Sequence, residues 1–222
     1  MIQEEGKSVN LKGKQFAIIG AAIAWLAVLL QLLLMLLNST EELVETLIRF
    51  FSFFTILTNT LVAICLTSVV LRDGKSANFF SAPATLSAVT VYILIVGLVY
   101  NFVLRSTWNP QGLQKLVDEL LHVVIPVYTF IYWLLFVRKE ALKAAFVYNW
   151  LLFPLAYLAF ILFRGNASGF YPYPFINAPV IGYTEVINNT LILIGIFVLF
   201  SLLLIGLAKL LVRKPKPKQE AS

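Results

Sequence analysis

The chain has 222 residues, of which 60% are apolar and 13% charged, and its mean hydropathy is +0.87. Such a composition excludes an ordinary soluble enzyme and places the chain among membrane proteins. A net charge of +6 could serve nucleic acid, but the basic residues gather at the ends of apolar stretches and in a tail carrying Lys214, Lys216 and Lys218, as membrane orientation and lipid headgroups require. One cysteine, Cys65, excludes an internal disulfide and any paired-cysteine metal site, and one histidine, His122, excludes a bis-histidine haem.

Six apolar stretches free of charge span residues 15–40, 50–71, 76–104, 120–137, 144–163 and 186–208, and the shortest has 18 residues. About 20 residues of helix cross a hydrocarbon layer roughly 30 Å thick, so each stretch can span once. The sequence therefore predicts an all-α integral membrane protein with six transmembrane helices in one bundle: 16–37, 51–71, 83–104, 120–137, 144–163 and 186–208. An N-terminal segment, 1–15, and a basic tail, 209–222, flank this domain of residues 16–208. The first helix is too long for a signal peptide, and no small-x-small cleavage site follows Leu37. Thirteen basic residues fall on the side of the termini and only four, Arg49, Arg105, Lys115 and Arg164, on the other, which predicts that both termini are cytoplasmic.

Helix two carries Ser52, Thr55 and Asn59 at i, i+3 and i+7, one face of a helix. Such residues commonly bond backbone carbonyls or a neighbouring helix inside membranes. Residues 105–119 hold a turn, Trp108-Asn-Pro-Gln-Gly112, and a short amphipathic lead-in to helix four. Helix four places His122, Pro126, Thr129 and Trp133 in a single stripe. An ionisable group just inside a spanning helix marks a functional site by default, the alternative being a histidine that merely reaches water. Counted along the predicted helices, Thr55 lies roughly 6 Å and His122 roughly 3 Å below the same end of the bundle, depths that permit contact. Ser52, Thr55, Asn59, His122 and Thr129 are expected to face one interior space, with Phe53, Ile56 and Leu57 on other faces.

The stretch 165–179, rich in proline, glycine and aromatics, is expected to form either an ordered cap roofing a cavity or an interfacial aromatic belt. All eleven carboxylates lie outside the six stretches, which argues against an ion-coupled pump or channel. No internal repeat supports an inverted-repeat transporter.

Three motifs, Phe53-Phe-Thr55-Ile-Leu-Thr-Asn59, Leu121-His122-Val-Val-Ile-Pro126 and Phe170-Tyr-Pro-Tyr-Pro-Phe-Ile-Asn177, together with helix count and order over nearly the whole chain, resemble the bacterial six-helix Pr-six-Pr membrane proteins. That family is similar in turn to the animal androgen-induced (FAR-like) membrane proteins, threonine hydrolases of fatty-acid esters of hydroxy fatty acids. The resemblance implies a bacterial plasma-membrane hydrolase of a lipid ester, with Thr55 as nucleophile and His122 as base. The histidine-to-proline spacing here is four, one shorter than in the animal proteins, which keeps Thr58 as an alternative nucleophile.

Such chemistry is reasonable for these residue types, since a threonine hydroxyl needs a base within hydrogen-bond reach and histidine titrates in the right range. Asp118, at i−4 from His122, either orients the imidazole or charges the start of helix four. Asn59, Asn101, Tyr171 and Tyr173 are the available donors for an oxyanion, and the sequence does not choose among them. No cofactor, metal or nucleic acid is implied. The expected partner is a membrane lipid, as substrate or, in a non-catalytic binding or transport protein, as ligand; a third possibility is a structural subunit whose polar stripes only pack helices. The oligomeric state is not fixed.

Overall fold

The computed structural model describes residues 2–72, 77–107 and 109–212; Asp73, Lys75, Trp108 and the tail lysines lie outside the described residues. Its helices are α1 (Ile2–Asn38), α2 (Leu43–Ser52), α3 (Phe54–Leu71), α4 (Pro83–Val99), α5 (Gly112–Glu119), α6 (Ile125–Phe136), α7 (Phe146–Ser168), α8 (Ala178–Ile181) and α9 (Tyr183–Leu211). Two π-helical turns, Tyr100–Leu104 and Leu120–Val124, join α4 to a short 3-10 turn and α5 to α6. Among the described residues there is no strand. Six helices are long and apolar enough to cross a membrane: Leu11–Asn38, Phe54–Leu71, Pro83–Thr107, Gly112–Phe136, Phe146–Ser168 and Tyr183–Leu211. This is the architecture of an integral membrane protein, and its exterior fits one: Leu29, Leu37, Phe163, Leu191 and Leu203 are exposed, as lipid-facing side chains must be.

α4 is the central helix and packs on α3, α6 and α9, while α1 packs on α3 and α6. Small residues let these backbones approach: Ala17, Ala21, Ala24 and Ala27 of α1 are buried, and a Cβ on Gly97 of α4 would stand 3.0 Å from the carbonyl oxygen of His122. Polar tips of buried aromatics are satisfied across helices. Trp133 Nε1 donates to Ser87 Oγ at 2.8 Å, Tyr92 to the Trp150 carbonyl at 2.6 Å, and Tyr128 to the Phe16 carbonyl at 2.7 Å.

Four sequence boundaries are corrected. The first helix runs back to Ile2. The predicted helix 51–71 is broken at Phe53, whose extended backbone (φ −82°, ψ 124°) separates α2 from α3. Neighbouring aromatics are drawn to opposite sides there: Phe53 meets Phe170 and Tyr173, whereas Phe54 packs into Tyr92, Tyr157 and Phe197. A continuous helix sets successive side chains only about 100° apart and could not serve both. The Tyr157 hydroxyl takes up the Ser52 carbonyl at 2.8 Å, offsetting the lost ladder. Helix four begins at Gly112, eight residues before the predicted start, and α7 continues to Ser168, where Gly169 (φ 74°) ends it in the left-handed conformation.

Candidate functional site

Proline chemistry sets the geometry around His122. Pro126 has no N–H to give the His122 carbonyl, and the preceding turn widens to a π-turn in which Ile125 N–H reaches back to Leu120 O. Two carbonyls are thereby released from the helix ladder, and two asparagines take them: Asn59 Nδ2 donates to Leu121 O and Asn101 Nδ2 to His122 O, each at 3.3 Å. The same amides also donate within their own helices, to Thr55 O and Gly97 O. Asn59 and Asn101 therefore pin the π-turn and have no amide hydrogen left for an oxyanion.

His122 lies in this π-turn opposite the other one. Tyr100, the first residue of that second turn, stacks on the imidazole with ring centres 3.9 Å apart and planes inclined by 14°. His122 Nδ1 is 2.9 Å from Asp118 O and 3.3 Å from Asp118 Oδ1, and Tyr100 donates its hydroxyl to Asp118 Oδ2. Both neighbours of Nδ1 are acceptors, so in the neutral imidazole the proton sits on Nδ1 and Nε2 carries the lone pair. That lone pair faces Thr55: Oγ1 is 3.4 Å from Nε2. Of the two sequence readings of Asp118, its burial and its contact with the ring support the orienting one; it does not start a helix, since α5 begins at Gly112.

Thr55 is the second residue of α3, where helical N–H groups have no partner within the helix. Its N–H donates to the Tyr173 hydroxyl at 3.3 Å, and that hydroxyl also lies 3.4 Å from Thr55 Oγ1. Burial pushes the Tyr173 hydroxyl up from its ordinary range, outweighing the opposing hydrogen bonds with Thr55, so it stays protonated and able to donate. Tyr173 is clamped between Pro172 and Pro174 and stacks on Phe175 at 5.2 Å.

These groups open into a chamber of 610 Å³, lined by Thr55, Tyr100, Asp118 and His122 and by Phe170, Pro172, Tyr173 and Pro174 overhead. The stretch after α7 is thus the roof. A narrower, almost wholly apolar cleft between α4, α7 and α9 shares Thr55, Tyr100, Leu104 and Tyr173 with the chamber. Thr58, one turn deeper, is fully buried and lines neither cavity. Tyr171 lines neither; its ring packs so closely on Gly165 that a Cβ there would stand 2.2 Å from it.

The expected common face is only partly realised. Ser52 lies on α2 and its hydroxyl returns to the Ile48 carbonyl, Asn59 and Thr129 are buried away from the chamber, and Phe53 and Ile56, expected on other faces, line it. The break at Phe53 shifts the register on which the single stripe depended. It also alters the depths: Thr55 sits at the head of its helix and His122 ten residues into the continuous run from Gly112.

A latch at the roof's edge escaped the sequence reading, which used Arg49 and Arg164 only as topological charges. Glu45 Oε1 accepts from Arg49 Nε at 2.7 Å and from Arg164 Nη2 at 2.9 Å, and Arg49 Nη1 also pairs with Glu41 at 2.9 Å. Both guanidinium groups lie over the Phe170 ring, at 4.8 and 5.0 Å. Three charges at matching span ends were the available signal. The hydrogen bond from Arg49, with the nearby charge of Arg164, holds the Glu45 carboxyl below the usual range despite desolvation. A depressed carboxylate stabilises the fold above its unfolded value, about 4.3, and that contribution is lost as pH falls through the lowered folded value. The protection factors of the exchangeable amides in residues 170–177 should therefore hold steady from pH 5 to 8 and fall as the solution is acidified below the unfolded value, and in Glu45→Gln they should be roughly tenfold lower already at pH 7. Equal protection in the variant would remove the latch.

No family model matches the chain, and neither a curated protein nor a solved structure matches it.

Proposed function

We propose that the chain is a membrane hydrolase that cleaves a lipid ester by way of an acyl-threonine. The observation that carries this reading is the line Thr55 Oγ1, His122 Nε2, His122 Nδ1 and Asp118 at the junction of a wide chamber of mixed lining and an apolar cleft. A hydroxyl, a correctly tautomerised base and an orienting carboxylate are the parts that acyl transfer needs, whatever fold supplies them. The resemblance to the Pr-six-Pr and FAR-like families supports the same roles.

In the first half-reaction Thr55 Oγ bonds to the ester carbonyl carbon as its proton passes to His122 Nε2. The carbonyl oxygen, now an alkoxide, accepts a hydrogen bond from the Tyr173 hydroxyl. The C–O bond to the alcohol then breaks, and His122 returns the proton to the departing oxygen. Water attacks the acyl-threonine, giving a proton to His122; collapse releases the carboxylic acid and restores the Thr55 hydroxyl. Ester and water are consumed, and acid and alcohol formed. The 3.4 Å separation is long for a hydrogen bond, and such contacts tighten when substrate excludes water. Tyr100 and Asp118 act through His122 as positioning residues. The deciding experiment is fluorophosphonate labelling of the purified protein: adduct on Thr55 is expected, and intact-mass spectra without adduct at any concentration would leave a non-catalytic lipid-binding protein.

The thirteen-to-four distribution of basic residues supports cytoplasmic termini, which puts the chamber near the outer leaflet, and the family resemblance supports a bacterial plasma membrane. Cys65 is buried and Ser168 exposed. Ser168→Cys should accordingly react with an impermeant maleimide added outside intact cells; reaction only after lysis would invert the orientation.

A further inference from the structure

We propose that the apolar cleft between α4, α7 and α9 is the seat of a single hydrocarbon chain of about ten carbons or fewer, while the chamber holds the polar remainder of the same ester. This rests on the hydrolase reading above and adds which end of the substrate goes where, and how long it can be.

The two cavities differ in chemistry and meet at one place. The cleft is walled by side chains such as Val96, Val99, Leu155, Leu158, Ile194 and Phe197, and the chamber by Gln31, Asn38, Glu41, Arg49, Gln114 and Asp118. An ester whose carbonyl lies at Thr55 must send one arm into each. The chamber sets these polar groups beside Leu34, Met35, Phe50 and Phe53 and can satisfy a polar arm, whereas a polar arm in the cleft would find almost nothing to bond. The arm that takes the cleft is therefore the hydrocarbon one.

Its length follows from the walls. Along α4 and the π-turn that continues it the lining runs from Ile95 to Leu104, nine steps or at most about 13 Å at 1.5 Å per residue, and on α9 from Thr190 to Phe197, seven steps or about 10 Å. An extended tetrahedral chain advances about 1.2 Å per bond, as the three-bond repeat of extended peptide does. Ten bonds thus fill the longer wall. A chain drawn from the bilayer leaves one apolar medium for another, so selection rests on fit within the cleft rather than on escape from water.

The test uses the full chain in one detergent and n-alkyl fluorophosphonates from ethyl to hexadecyl. The labelling rate is expected to rise at least tenfold from ethyl to an optimum between octyl and decyl, and to fall for dodecyl and hexadecyl. Ile194→Trp, which narrows the cleft from α9, should lower the ratio of decyl to ethyl rates at least tenfold. A rate that climbs steadily to hexadecyl, or a ratio unmoved in this variant, overturns the proposal. The cleft is also tested apart from catalysis, in Thr55→Ala with an octyl ester bearing a terminal diazirine. Crosslinks confined to 95–99, 151–158 and 190–197 support the chain seat even if no probe ever labels Thr55, in which case only the hydrolase reading falls. Crosslinks scattered over the lipid-facing exterior overturn the seat even if Thr55 is labelled.

Discussion

Thr55→Ala and His122→Ala should each reduce fluorophosphonate labelling and ester turnover by roughly 10³-fold or more, to the level of the detergent blank, and the double variant should lose no more than either single one. Nucleophile and base act as a unit, so removing either removes the step, and their losses do not add. Thr58→Ala is the internal comparison. Its hydroxyl is fully buried and opens to neither cavity, so labelling should persist in that variant. Stability is expected to move little in Thr55→Ala, since polar contacts between membrane helices average only about 0.6 kcal/mol. A melting transition close to that of the unsubstituted protein, together with lost labelling, separates chemistry from folding. Full turnover in Thr55→Ala would end the acyl-threonine mechanism.

The second large effect is expected at Asp118. Asp118→Asn keeps the volume and an acceptor for the Tyr100 hydroxyl but can turn an N–H toward His122 Nδ1, where the aspartate presents only oxygen. That favours the wrong tautomer, with the proton on Nε2, and a base without its lone pair cannot take the threonine proton. Turnover should fall by roughly 10²-fold or more, within the range that a positioned acid–base group contributes, with KM little altered. Tyr100→Phe is the graded companion: the ring still stacks on His122, and only the hydrogen bond to Asp118 is lost, so the fall should be about tenfold. Asp118→Ala is a poorer probe because it leaves a buried tyrosine hydroxyl unpaired, at about 1–3 kcal/mol. If Asp118→Asn keeps full turnover, the carboxylate serves only to hold Tyr100.

Composition and the length of the uncharged stretches were enough to determine six spanning helices, because a bilayer admits few structures and marks them with a strong, local apolar signal. The contact of Thr55 with His122 was legible only in outline, from their being assigned to the same side of the bundle, because the depths counted for them changed with the break at Phe53 and the start at Gly112. The i−4 spacing of Asp118 and the Pro126 that widens the His122 turn were likewise written in the chain. Tertiary packing decided the rest. The Phe53 break depends on a roof more than a hundred residues away that draws Phe53 one way while Phe54 is held by α7 and α9. No local periodicity encodes such a competition, so the stripe through Ser52 looked continuous. Asn59 and Asn101 resemble oxyanion donors until the carbonyls freed by the π-turn are seen to occupy them. Tyr171 and Tyr173 are two residues apart in one loop, yet one packs on Gly165 and the other reaches Thr55. A residue's type and spacing limit what chemistry it can do; which partner takes its hydrogen bond is a long-range outcome of packing, and it selected Tyr173 over Tyr171 and Thr55 over Thr58 for the place where the chamber and the cleft meet.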